Sequence, residues 1–586
     1  MTVDAKTDWQ YKLIDDITKG VNVSIRPDAL KDGELTDALN VFFFKKQLQS
    51  DTGYVKFASA VKGTPRATFQ FFKKSGTSAL LLFTNSNIYK LVLSQWQFVS
   101  SGTDTTLTAN AATSATTITV ASTAGFADGD DIGITLDDGT EHQSTIAAGG
   151  IIGSTITITS GLPSPAASGN AVTQAATLAG TDDEQISFAP FPAFDWLVFT
   201  NGIDVPKYYD GTKITDIPGL PSSGNVIAKS IAVFNNYLML FNTTEGGTAF
   251  PQRVRWSDTA DPTNWTTGNA GFLDLYDNED FVITTLPLGP YLILYREREI
   301  VRIEYVGSST KLFNFDTMVA GEGIKSIDAV ADVGGFHLLV GNANVYKYRG
   351  DFELAPVSDT IYNKLFGVAG EINPPYAHRI SSFYVEELDE YWILYPDVNG
   401  TYPNQLARYN ISDDSWSFRD FGIDLTGFGF YQLDSTQTWL DLVGDWTEQT
   451  WLWGGSRTQA NAPITQLCSN SGSVNYVYSY DYLNPDDDGS TISWHFQTKD
   501  FFNPTNKLRF DFIEFAATGG SVTVDYSTDG GVSWNSMEVV TLMTDLEKYR
   551  VYKQFVAERA RFKFSGTGSG FAMEYLGIRF RNESIH

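Results

Sequence analysis

Cysteine, histidine and long apolar runs are all scarce in this sequence, and each shortage removes a class of protein. Cys468 is the only cysteine in 586 residues, so no disulfide can form within the chain and stability does not call for an oxidising compartment. Assembly in a reducing cytoplasm fits. The histidines, His142, His337, His378, His495 and His586, are scattered without metal-ligand spacing, and no cofactor or metal site is assigned. No apolar window reaches the roughly 18 residues that a membrane-spanning helix needs. The opening run MTVDAKTDWQYKLIDD mixes charges and has no apolar segment, so a secretory leader is not expected. Basic residues are also in deficit, 41 Lys+Arg against 69 Asp+Glu, for a formal net charge of −28. Such a chain repels duplex DNA, which carries about one negative charge per 1.7 Å, and sequence-specific DNA binding is disfavoured.

What the chain has in quantity is core material: 42% hydrophobic residues, with 40 Phe, 28 Tyr and 13 Trp. This composition is globular and leans towards strand. Its strongest pattern is a repeat, an apolar strand, a small turn and a second strand rich in Tyr with Lys or Arg. Copies read LLLFTNSNIYKL from Leu80, WLVFTNGIDVPKYYDG from Trp196, LMLFNTTEGG from Leu238, YLILYREREIVRIEYVG from Tyr291, FHLLVGNANVYKYRG from Phe336 and YWILYPDVNG from Tyr391. A degenerate seventh is TQLCSNSGSVNYVYSYD from Thr465. Uninterrupted copies start roughly 40 to 55 residues apart, the size of a four-stranded propeller blade. The expected fold is all-β, a propeller of six or seven blades; a row of unrelated β-sandwiches is the alternative.

Domain boundaries follow from composition. Residues 1–57 read as an N-terminal arm and hairpin joining the propeller, 58–102 as its first blade and 179–485 as the remaining blades. Residues 103–178 interrupt the rhythm with a Thr/Ala/Ser/Gly-rich stretch whose alternating TTITVAS and STITITS predict a small inserted β-domain on a loop of the first blade. NPDDDGS, Asn484 to Ser490, introduces strands such as KLRFDFIEFAA and SVTVDYST, predicting a C-terminal β-sandwich over 486–586. Helix is expected only near Asp28 to Leu39.

Chemistry-bearing motifs each have a plain structural reading. STDGGVSW, Ser527 to Trp534, matches the Asp-box pattern of sialidase propellers, where the Asp holds a hairpin turn. Acidic clusters at Asp128 to Asp131, Asp137 and Asp138, and Asp486 to Asp488 lack cation-loop spacing and read as solvated turns. YREREIVR, ending in Arg296 to Arg302, alternates charge on a strand and suits cross-strand or inter-subunit ion pairs. There is no G-x-S-x-G elbow or phosphate-cradling loop, and nothing marks Cys468 as an activated thiol. No catalytic residue is assigned, and an enzyme is not expected.

Two stretches carry a likeness. GVNVSIRPDALKDGELTDALNV, Gly20 to Val41, followed by TGYVKF, resembles the opening of tail nozzle and tail stabilisation proteins (tail tubular protein B-like) of short-tailed bacteriophages. RVRWSDTADPTNW, Arg253 to Trp265, and FTNGIDVPKYYDGTKITDI, Phe199 to Ile217, are similar to the same family. The resemblance implies a virion protein without catalytic residues. It would form a distal ring, sixfold, below the tail adaptor proteins of the portal, carry fibres or spikes and pass genomic DNA during ejection. In that setting an acidic wall lets a polyanion slide past without sticking. The alternatives are a tail-associated glycan-degrading, sialidase-like protein and a glycan- or receptor-binding protein.

Overall fold

The computed structural model describes residues 9–277, 279–308, 311–432, 463–470, 475–481 and 484–583. The chain is all-β: among these residues the only α-helical turn is Tyr362–Leu365. Six separate four-stranded antiparallel sheets, and the first four strands of a ten-stranded sheet, follow one another in sequence. Sheets one to six cover residues 65–98, 187–216, 226–274, 282–320, 330–356 and 381–420. Sheet seven joins Leu425–Tyr431, Ile464–Ser469 and Asn475–Tyr480 to Tyr54–Val61 from far upstream.

Every copy of the sequence repeat supplies the second strand of its sheet, for example Ser78–Thr84, Tyr291–Arg296 and Ile464–Ser469. These strands are apolar at successive positions because both of their faces are covered, and successive side chains point to opposite faces. Leu80 and Leu82 pack with Cys468 and Val477 of sheet seven, whereas Leu81 and Phe83 pack with Leu197 and Phe199 of sheet two. Leu238 and Leu240 likewise face sheet two, while Met239 and Phe241 face sheet four. Apolar clusters therefore join consecutive sheets, and the one holding Leu80, Leu82 and Cys468 joins the seventh to the first, so the face-to-face contacts run in cyclic order. Closest approach there falls between Leu425–Tyr431 and Pro65–Phe72. Only glycine fits: a Cβ on Gly427 would lie 1.6 Å from the Arg66 carbonyl oxygen, and one on Gly429 1.9 Å from Thr68 Oγ1.

The N-terminal arm departs from expectation. Tyr54–Val61 joins the repeating sheets as the last strand of sheet seven. Gln10–Ile14 and Gln47–Ser50 pair with the last strand, Ala572–Glu583. The stretch expected to be helical is a turn followed by the strand Leu35–Leu39, which lies between Ser415–Asp420 of sheet six and Ser493–Thr498. It fills the gap that makes one ten-stranded sheet of two parts, and this pairing overrides a weak local preference for helix. C-terminal residues form two sheets packed face to face, with Phe496, Val524 and Phe564 on one and Ile513, Phe515 and Ile578 on the other.

The inserted segment forms a six-stranded unit from Ser100 to Ala175 with its own core, including Ile118, Ile132, Ile134 and Ile156. It lies between sheets one and two rather than within a loop of sheet one, because sheet one has its four strands by Phe98. Its ends meet: Ala176 N donates to Val99 O at 2.8 Å.

Candidate functional site

The segments that lead into the first strands converge at one end of the cyclic array. Residues 180–185, leading into sheet two, form a strap across that end. Gln185 Oε1 accepts from Ser326 Oγ at 2.9 Å and Ile327 N at 3.2 Å, beside sheet five. Asp183 binds Arg379 Nε at 2.8 Å and His378 Nε2 at 3.2 Å, beside sheet six. Asp182 accepts from Asn85 Nδ2 at 2.8 Å and Tyr402 OH at 3.0 Å. Behind the strap is a cavity of about 370 Å³, walled by Phe69, Phe188, Phe428 and Phe430, with Arg66 and Asp328 at the strapped end and Phe72 at the other. Neither Arg66 nor Asp328 was singled out in the sequence. Arg66 comes from the first strand of sheet one and Asp328 from the turn before sheet five, and only the order of the array brings them to one cavity.

A second charged cluster is buried between sheets six and seven. Asp51 is fully buried and meets Arg408 at 2.7 Å and Arg419 at 2.9 Å; Tyr480 OH donates to it at 2.7 Å. Burial alone would raise the Asp51 carboxyl, but the two guanidinium groups outweigh it and hold the group down at about 2. Arg419 also reaches Asp487 at 2.6 Å. Three distant stretches of chain, around Asp51, Arg408 to Arg419 and Tyr480 to Asp487, are pinned together here.

The motifs named in the sequence find structural partners. Asp529 of the Asp box accepts from Ser533 Oγ at 2.5 Å, Ser533 N at 2.9 Å and Val532 N at 3.1 Å, and these bonds, the Ser533 hydroxyl first, hold its carboxyl well below the usual range. Asp131 pairs with Lys62 at 2.6 Å, and Asp130 accepts from Ala127 N at 2.7 Å. Asp128 accepts from Gly149 N at 2.6 Å, Asp137 from Ala167 N at 2.7 Å and Asp138 from Thr140 N at 2.9 Å. Asp486 accepts from Gly489 N at 2.8 Å, and Asp488 pairs with Lys56 at 2.8 Å. Asp131 and Asp487 thus hold ion pairs rather than lying in free solvent.

Arg296 to Arg302 straddles a turn instead of lying on one strand: Arg296 ends Tyr291–Arg296 and Glu299 begins Glu299–Tyr305. Arg296, almost fully buried, binds Glu299 at 2.5 Å, and Arg302 meets Asp316 across the sheet at 3.4 Å. His337 is buried between Tyr295 OH at 2.6 Å and the Pro287 carbonyl at 3.0 Å. His142 lies beside Ser160 O at 3.1 Å and His495 beside Asp37 at 2.8 Å, while His586 falls outside the described residues. Burial pushes the Cys468 thiol up to about 12, the opposite of nucleophile activation.

The phrase RVRWSDTADPTNW folds into a turn fixed by its own carboxylates. Asp258 accepts from Thr259 N at 2.8 Å and Asn269 N at 2.9 Å, and Asp261 accepts from Thr263 N at 2.9 Å. Trp265 donates from Nε1 to Pro262 O at 2.8 Å and is buried between sheets two and three.

One carboxyl missed in the sequence makes a measurable prediction. Glu141, on the inserted unit, is buried against sheet one and accepts from Phe98 N at 2.8 Å, and burial raises its carboxyl to about 7. The unfolded value is about 4.3, so the folded state binds the proton more tightly, and this contribution to stability is full below about pH 4.3 and lost as pH rises through 7. Thermal melts of Glu141→Gln are expected to gain on the parent steadily from pH 4.5 to 7.5. Parallel pH curves would show that the carboxyl is not buried at this contact.

No family model and no curated protein matches the chain. Solved structures with a likeness include PorZ of the type-IX secretion system of Porphyromonas gingivalis, at 9% identity over 82% of this chain, TM-score 0.32. Others are an exo-β-1,3-galactanase from Phanerochaete chrysosporium, 10% identical over 58% of this chain and 94% of that one, TM-score 0.23, and AztD from Citrobacter koseri, 10% identical over 62% and 81%, TM-score 0.26. The chain spans 46% of the PorZ structure. At TM-scores this low the likenesses carry no argument about fold or activity.

Proposed function

We propose that the chain is a seven-bladed β-propeller with an inserted small β-domain and a C-terminal β-sandwich, and that it is a structural subunit of the distal nozzle ring of a short phage tail. The reading of the fold rests on the cyclic order of the sheet contacts and on the strand Tyr54–Val61, which completes sheet seven. The reading of function rests on the phrases that resemble the nozzle family, and one observation carries it furthest. RVRWSDTADPTNW is a self-bonded turn with its tryptophan in the core, so the resemblance falls on residues that build the fold. Charge supports it as well. Six copies at −28 each would carry 6 × 28 = 168 negative charges, repelling a polyanion that passes within a screening length of about 8 Å. Exposed Phe272, Leu273 and Tyr276, on and beside the outermost strand of sheet three, leave apolar surface at that edge for a neighbouring copy.

The test is assembly. Native mass spectrometry and electron microscopy should find a six-membered ring that docks under tail adaptor proteins. Trimers would instead point to a spike or receptor-binding protein, and glycan turnover abolished by one carboxylate substitution would establish a tail-associated glycan-degrading protein.

A further inference from the structure

The cavity behind the strap holds polar groups that find no partner among the described residues. Arg66 is only 6% exposed; its Nε donates to Glu184 O at 3.0 Å, and its two terminal nitrogens donate to no acceptor among the described residues. A guanidinium has five N–H donors, so most of this buried fork is unused. Asp328, which lines the same cavity, has no hydrogen-bonded or ion-paired partner for its carboxylate among the described residues, and no ion pair joins it to Arg66. Thr68 Oγ1, between the two ends of the same strand, is buried without a partner. Buried charge is costly unless paired, and of the two charges Arg66 is the buried one, Asp328 being half-buried. A cavity with a free cation, a free anion and phenylalanine walls is therefore complementary to a molecule carrying the opposite arrangement.

We propose that this cavity binds a small zwitterion with an aromatic body, its carboxylate on the Arg66 fork, its ammonium at Asp328 and its ring among Phe69, Phe188, Phe428 and Phe430. A planar fork suits a carboxylate in bidentate fashion. Aromatic walls favour an aromatic guest through offset or edge-on contacts. The volume, about 370 Å³, is that of a metabolite site, at the small end of the range of about 300–1,000 Å³ for ligand cavities. Burial raises the empty Asp328 carboxyl to about 7, with Arg66 pulling the other way, so binding is best measured at pH 8, where the carboxylate is ionised. The inference does not depend on ring assembly.

Calorimetric titration of the intact chain with three probes tests it. L-phenylalanine carries both charges, phenethylamine only the ammonium and 3-phenylpropanoate only the carboxylate. L-phenylalanine is expected to bind at least tenfold more tightly than either. Arg66→Met should reduce it to the level of phenethylamine, and Asp328→Asn to that of 3-phenylpropanoate. Equal affinity for all three, or no binding of any at millimolar concentration, would overturn the proposal. Since Arg66 also holds the strap, its replacement could unsettle the fold; the three-probe comparison on the unaltered chain decides without any variant.

Discussion

Replacing Asp51 by alanine is expected to destabilise the chain by about 3–5 kcal/mol, the cost of removing one partner from a buried ion pair. Arg408 is the group most exposed to this loss. It lies 2.7 Å from Asp51 and is itself almost fully buried, so without that carboxylate the remaining one acting on its charge among the described residues is Glu390. Glu390 is a poor substitute, because burial raises its carboxyl to about 7 despite Arg408. Arg419 keeps Asp487, 2.6 Å away. The effect should therefore centre on sheet six, and hydrogen exchange of amides in Glu390–Tyr395 and Gln405–Asn410 is the local measurement. A pH signature accompanies it. The folded Asp51 carboxyl sits at about 2 against about 3.9 unfolded, so its contribution is complete above pH 4 and lost as pH falls towards 2. Asp51→Asn should lack that acid-side loss. Melting of Asp51→Ala at the parent temperature would mean that the cluster does not hold these sheets together.

Deleting residues 1–61 should abolish soluble, folded protein, whereas deleting 1–15 should leave most of it intact. The longer deletion strips Tyr54–Val61 from Asn475–Tyr480, removes Leu35–Leu39 from the ten-stranded sheet and takes Gln47–Ser50 from the last strand. Newly bared strand edges are templates for aggregation. The shorter deletion removes only Gln10–Ile14, whose outward Tyr11 and Leu13 are about half exposed, from the edge of Ala572–Glu583. Size-exclusion chromatography and circular dichroism of the two truncations separate the cases. A soluble monomer from the 1–61 deletion would show that sheet seven does not need its upstream strand.

The difference between these truncations marks where the sequence was readable. LLLFT and YLILY stand out because both faces of such strands are covered, so each residue must be apolar whichever way it points. The inserted unit was legible for a related reason: its composition changes and its strands alternate. LTDAL carries no such mark. Its place between two sheets depends on partners hundreds of residues away, Phe418 opposite Leu39 on one side and Gln497 on the other, where the bond from Thr36 Oγ1 to Gln497 O has a separation of 461, and local pattern does not encode that distance. The same holds for the charged groups that matter most. Arg66 lies within PRATFQFF and Asp51 within QSDTGY, unremarkable strings that acquire meaning only when the seventh sheet meets the first and the sixth. The acidic clusters were visible, but their roles were not: Asp131 and Asp487 read as solvated turns because their cations, Lys62 and Arg419, are remote in sequence.

The strap over residues 180–185 has a bearing on scale. It ties sheets one, two, five and six together across the end of the array, over a cavity of about 370 Å³. A double helix about 20 Å wide has no way through a single copy. In the proposed ring the conduit would be the space enclosed by several copies, and its calibre would follow from how many copies there are and how each is tilted, not from how many sheets each contains. Stoichiometry, rather than fold, is the dimension on which such a particle would be tuned.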